Sequence, residues 1–172
     1  MSPHRLLASV IPFLLVGCMH SASPPNRFTA PGGPLVRKSG ITTTCLPAKP
    51  GEAVTWAGVG IDSHDANLRF TVTSATLVSP TVGLETTGVG VLDSPGSLAN
   101  GAPFRSRSRH LLPLPHSADG TVVLAFGVRA ESAGEYMASS VRIQYGIGEQ
   151  TYVMVQRDGI RLHVSNARTS CT

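Results

Sequence analysis

Leu68-Arg69-Phe70-Thr71-Val72-Thr73 is the stretch that decides the fold class. Leu68, Phe70 and Val72 alternate with Arg69, Thr71 and Thr73, which is the two-residue period of a strand with one buried face. The same alternation returns in Val122, Leu124, Phe126 and Val128, and again in Val141, Ile143 and Tyr145 against Arg142 and Gln144. Gly146-Ile147-Gly148-Glu149 then leads into an apolar run over residues 152–155. Past Arg157-Asp158-Gly159 come Ile160, Leu162 and Val164. This spacing predicts two consecutive hairpins. Weaker strands are expected at residues 54–59, 82–84 and 89–92. Several short strands with no long amphipathic helix between them point to an all-β chain, an antiparallel β-sandwich of about seven strands.

Composition agrees. A length of 172 residues favours one domain. With 41% hydrophobic and 14% charged residues the chain is too apolar to be disordered throughout. Eighteen glycines and 13 prolines supply turns. From Met19 to about Thr44, however, Ser23-Pro24-Pro25-Asn26 and Pro31-Gly32-Gly33-Pro34 carry no periodicity. Residues 18–44 therefore read as a flexible tether and residues 45–172 as the sandwich. About 26 such residues reach roughly 25–30 Å.

Gly134-Glu135-Tyr136, just before the strand that holds Val141 and Ile143, resembles the tyrosine corner of immunoglobulin-like sandwiches, in which the phenol bonds to nearby backbone. The resemblance implies an immunoglobulin-like architecture only, because Trp56 lies early and the cysteines sit at the ends of the domain rather than around it. A surface aromatic, or one helical turn over residues 131–140, is the competing reading of this segment.

The first 17 residues have the layout of a signal segment: one firm positive charge at Arg5, an apolar stretch over residues 6–16, then Gly17-Cys18. Leu15-Val16-Gly17-Cys18 resembles the lipobox of bacterial lipoproteins. That resemblance implies lipidation of Cys18 and cleavage before it. The competing readings are an ordinary signal peptide, for which no A-x-A-like site precedes Ser21-Ala22-Ser23, and an uncleaved anchor. Lipidation would place the protein outside the cytoplasm, held at the cell membrane by acyl chains that each contribute about 0.8 kcal/mol per buried methylene. In a cell with an outer membrane, Met19 after the cysteine lacks the aspartate of inner-membrane retention, and the outer membrane is the expected address. The Gly/Ala/Arg/Pro-rich style equally suits a Gram-positive host, where the anchor is the plasma membrane.

Three cysteines are an odd number for an exported chain, and lipidation of Cys18 leaves Cys45 and Cys171 as one pair. An oxidising envelope permits that disulfide. Two free thiols are the alternative; neither cysteine has a Cys or His at metal-ligand spacing.

The densest charge cluster is Arg105-Ser106-Arg107-Ser108-Arg109-His110. Were the segment extended, with a strand over residues 104–112, Arg105, Arg107 and Arg109 would project to one face about 6.6–7 Å apart and could bind an anion. Solvated arginines on a charged edge are the plainer reading. The long segment 93–119 is otherwise unpatterned, which marks a functional loop or a hidden strand. Asp62-Ser63-His64-Asp65-Ala66-Asn67 offers weak cation ligands in Asp62, His64 and Asp65, but lacks the glycine and distal glutamate of an EF-hand loop and suits an ordinary turn. No G-x-S-x-G or S-x-x-K accompanies His64 and Asp65, so no hydrolytic triad is expected. His20, His116 and His163 do not cluster, and Met19, Met137 and Met154 lack repeating spacing. Trp56 reads as core, with a sugar platform formed with Tyr152 as the alternative. Loss of Arg5 with the signal segment lowers the formal charge from +4 to +3, too modest for a nucleic-acid partner. No cofactor is implied. The expectation is a non-catalytic envelope lipoprotein that meets an envelope protein or polymer; the alternative is a surface binder of an ion or small anionic solute.

Overall fold

The computed structural model describes residues 28–29, 33–37, 42–93, 100–167 and 170–171. Among these residues the strands are β1 (Phe28–Thr29), β2 (Leu35–Arg37), β3 (Thr43–Ala48), β4 (Val54–Ser63), β5 (Arg69–Val78), β6 (Glu85–Leu92), β7 (Leu111–Leu112), β8 (His116–Asp119), β9 (Thr121–Arg129), β10 (Gly134–Ala138), β11 (Ser140–Ile147), β12 (Gln150–Gln156) and β13 (Gly159–Val164). A single helical turn, α1 (Phe104–Arg107), runs into a 3-10 turn at Ser108–His110.

One sheet has the order β2-β4-β9-β6-β7, a second β1-β12-β11-β5-β8 and a third β10-β13-β3. Counting β2, β4, β5, β6 and β9 as A to E, with β10–β11 as F and β12–β13 as G, the first sheet is A-B-E-D and the others carry C-F-G. That is the strand order of an immunoglobulin-like antiparallel sandwich. Most pairs are antiparallel; β3 on β13 and β1 on β12 are the parallel exceptions. Inward residues of the three sheets meet in one core, with Trp56, Phe70, Phe126, Ile143, Tyr145 and Leu162 among its largest members. Alternation explains the packing: Val122, Leu124, Phe126 and Val128 of β9 are all buried.

The sequence reading needs correction at four places. Residues 152–155 and 160–164 do not form a second hairpin. β12 pairs with β11, whereas β13 pairs with β10, continuing in the same direction along the other arm. Residues 134–164 thus make one long hairpin that turns at Gly148-Glu149 and bends in the middle. Between the pairs Ala138↔Ile160 and Val141↔Gln156, one arm holds two residues and the other three, and this bulge lets both arms leave one sheet for another. Asp158 is buried at the bend, where it accepts a bond from Thr42 Oγ1 (3.2 Å), and Gly159 N donates to Thr42 O (2.8 Å).

Strand structure also begins earlier than residue 45. β2 pairs antiparallel with the far half of β4, and Leu35 is buried in the core, so a pair of apolar residues inside the proline- and glycine-rich stretch suffices to add a strand. The signal segment 1–17 and Cys18 lie outside the described residues. Residues 82–84 form a turn closed by Leu84 N to Thr81 O (3.0 Å), and Val82 is almost wholly exposed. Residues 134–138 are strand, which excludes the helical alternative there.

Candidate functional site

Segment 100–112 is neither a free loop nor the strand expected over residues 104–112. It is a strap across the outer side of the first sheet. β2 covers only one half of the β4 edge, and the strap covers the other: Thr55 N donates to Ala102 O (2.8 Å), Gly101 N to Thr55 O (2.9 Å) and Phe104 N to Ala53 O (2.9 Å). Asn100 Oδ1 accepts from Ala57 N (2.7 Å). The chain then crosses β9 and β6 and rejoins the far edge as β7.

What lets it cross is a glycine trough. Gly88 and Gly127 face each other across the β6–β9 ladder, and the Phe104 ring occupies the space their side chains would fill. A Cβ on Gly127 would lie 2.6 Å from Phe104 Cδ1, and one on Gly88 2.9 Å from Cε1. At Gly90 a Cβ would stand 2.8 Å from Leu112 O. Only glycine permits so close an approach at these positions.

This arrangement corrects the arginine row. Arg105 and Arg107 fall in α1 and Arg109 in the 3-10 turn, and a helical backbone does not hold alternate residues on one face. Burial of Phe104 curls the segment, with Ser108 N donating to Phe104 O and Ser108 Oγ to Arg105 O (3.2 Å). Arg105 lines a cavity of about 490 Å³, together with Ser108, Phe104, Glu52 and Arg129. Arg129 is already engaged: its Nε and Nη2 both lie 2.9 Å from Glu85 Oε2, and Glu131 Oε1 is 3.4 Å from Nε. The bond to Glu85 pushes the guanidinium further into its charged state.

The segment 62–67 is a turn between β4 and β5. Asp65 Oδ1 accepts from Asn67 N (2.9 Å), Ser63 Oγ from Asp65 N (3.2 Å), and Asp62 Oδ1 from Thr121 Oγ1 (2.6 Å), while His64 is exposed. The Asp65 bond makes an Asx turn and the Ser63 bond the equivalent serine turn, while the Asp62 bond ties the end of β4 to β9. Among the described residues no group of three or more His, Cys, Asp or Glu could hold a metal ion.

Cys45 and Cys171 are joined, with Cα atoms 6.0 Å apart across 126 positions of sequence. Arg161 Nε lies 3.4 Å from Cys45 Sγ. Tyr136 Oη donates to Ser132 O (3.0 Å), four residues upstream, the bond of a tyrosine corner. Trp56 packs on Phe126 with ring centroids 5.4 Å apart and Tyr152 stacks on Tyr145 at 5.2 Å, so Trp56 and Tyr152 form no shared platform. His116 lies on β8 and His163 pairs with Glu135 across β13 and β10.

Sequence reasoning missed a second concavity, of about 380 Å³, at the bend of the long hairpin. Thr43, Met137, Ala138, Ser139, Ser140, Val155 and Arg157 line it. Met137 (48%) and Val155 (53%) are two of the three large apolar side chains that remain exposed among the described residues. The available signal was the unbroken apolar run 152–155, which at period two must put apolar groups on both faces of a strand.

No family model and no curated protein matches the sequence. Among the solved structures that match, two are similar at low level. The VesB protease of Vibrio cholerae is 14% identical with a TM-score of 0.37, over 76% of this chain and 32% of that one. The chain thus spans about a third of the protease structure. The ASH/PapD-like domain 7 of human CEP192 is 10% identical with a TM-score of 0.38, over 95% of this chain and 98% of that one. Neither likeness is close enough to bear on activity.

Proposed function

We propose that this chain is a non-catalytic lipoprotein of the cell envelope, anchored through Cys18 and presenting its sandwich to another envelope component, a protein or polymer. The observation that carries the reading is the Cys45–Cys171 bridge. It uses two of the three cysteines, points to an oxidising compartment, and leaves Cys18 as the odd thiol, inside the lipobox-like Leu15-Val16-Gly17-Cys18. A diacylated Cys18 would hold the protein stably at a bilayer surface. The two outer faces support the presenting role: the strap closes much of one, and among the described residues Arg142 and Val155 are exposed on the face of β11 and β12. Crosslinking in intact cells, followed by recovery of the lipoprotein at native abundance, tests this. A single stoichiometric envelope partner is expected; repeated recovery of none contradicts the reading.

A second reading rests on the cavity beside α1, where Arg105 and Ser108 could take a small anionic solute. Thermal-shift screening against anions checks it, since occupancy well above the dissociation constant must raise stability.

A further inference from the structure

We infer that the groove at the hairpin bend docks an extended partner segment in which carboxylates flank an aliphatic side chain. The inference deepens the presenting role and rests on that reading for the partner's location. Met137 and Val155 both line the groove. They stay exposed although an apolar core lies beneath both arms. Concavity matters here: a recess of about 380 Å³ suits an inserted side chain, whereas a flat lipid surface is met by protruding apolar groups.

Charge selects the occupant. Arg142 stands directly across the ladder from Val155, and Arg157 lies on the groove wall. Both are exposed, and neither has an ion-pair partner among the described residues. Nearby acidic groups are spoken for, since Asp158 is buried and bonded to Thr42, and Glu135 faces His163. A second copy of this face is disfavoured, because it would set arginines against arginines. A carboxylate on either side of a Leu or Ile satisfies both guanidinium groups and fills the recess.

The test uses the full chain carrying Cys18→Ser, so that binding is read independently of the anchor. Methyl NMR follows Met137 and Val155 during addition of three probes. These are acetyl-Asp-Leu-Glu-Leu-Asp amide to about 1 mM, the same peptide with lysine in place of every acidic residue, and phosphatidylglycerol vesicles. Saturable shifts at both methyl positions with the acidic peptide alone are expected, weakened at least tenfold by Arg142→Glu with Arg157→Glu, whose exposed positions leave the fold intact. Equal response to both peptides, no response to either, or binding to vesicles without the peptide response overturns the inference. A negative result here leaves the anchor untouched, and an unlipidated Cys18 would leave this site untouched.

Discussion

The ring of Phe104 stands in the place of a side chain on Gly127: a Cβ added there would lie 2.6 Å from Phe104 Cδ1. One residue from segment 100–112 thus completes the surface of a strand it is not part of. Phe104→Ala should cost about 3 kcal/mol, the low end for a buried phenylalanine, because the opened trough admits water. Gly127→Val should expel the ring. In both variants the amide of Thr55, bonded to Ala102 O, should lose hydrogen-exchange protection while Leu124 keeps its own. Unchanged protection at Thr55 would show that the strap is held by something other than this contact.

Cys45 and Cys171 close most of the domain into one covalent loop. In the chain-entropy model a loop of that length contributes about 4–5 kcal/mol by restricting the unfolded chain, so replacing both with serine should lower the urea midpoint and steepen its slope, because the released chain exposes more surface on unfolding.

Tyr136→Phe removes the bond to Ser132 O but keeps the ring against the core. An exposed neutral bond is worth about 0.5 kcal/mol, and equilibrium unfolding of the variant should show a loss no larger than roughly 1 kcal/mol.

Burial pushes the Tyr145 phenol above its ordinary value. A raised folded-state value means the contribution is complete below the unfolded value of about 10 and is lost as pH climbs through the folded one. The stability of the wild type should therefore fall more steeply above about pH 10 than that of Tyr145→Phe, when urea midpoints are compared at several alkaline pH values.

Strands β5, β9 and β11 were legible because each buries one face, and burial of one face writes itself as alternation. Other features left no such trace. Arg157-Asp158-Gly159 has the composition of a hairpin turn, yet it is the longer side of a bulge, and composition alone does not distinguish a chain that folds back from one that bends. The strap was invisible because its partners are glycines, whose contribution is the absence of a side chain. Arg105, Arg107 and Arg109 suggested a row only on the assumption of extended backbone, which the buried Phe104 overrides. Leu35 and Val36 were hidden by the prolines and glycines around them. In the sequence Met137 is one of three methionines without repeating spacing and Val155 ends an apolar run; their meeting depends on the bend, a long-range feature of pairing.

The measurement that bears most directly on the account is the intact mass of the mature protein recovered from its own host. The account predicts a polypeptide that starts at Cys18, carries a thioether-linked diacylglyceryl group, and is two hydrogens lighter than its reduced form through the Cys45–Cys171 bridge. A chain that still starts at Met1, or a mature chain with no fatty acid on Cys18, would contradict it.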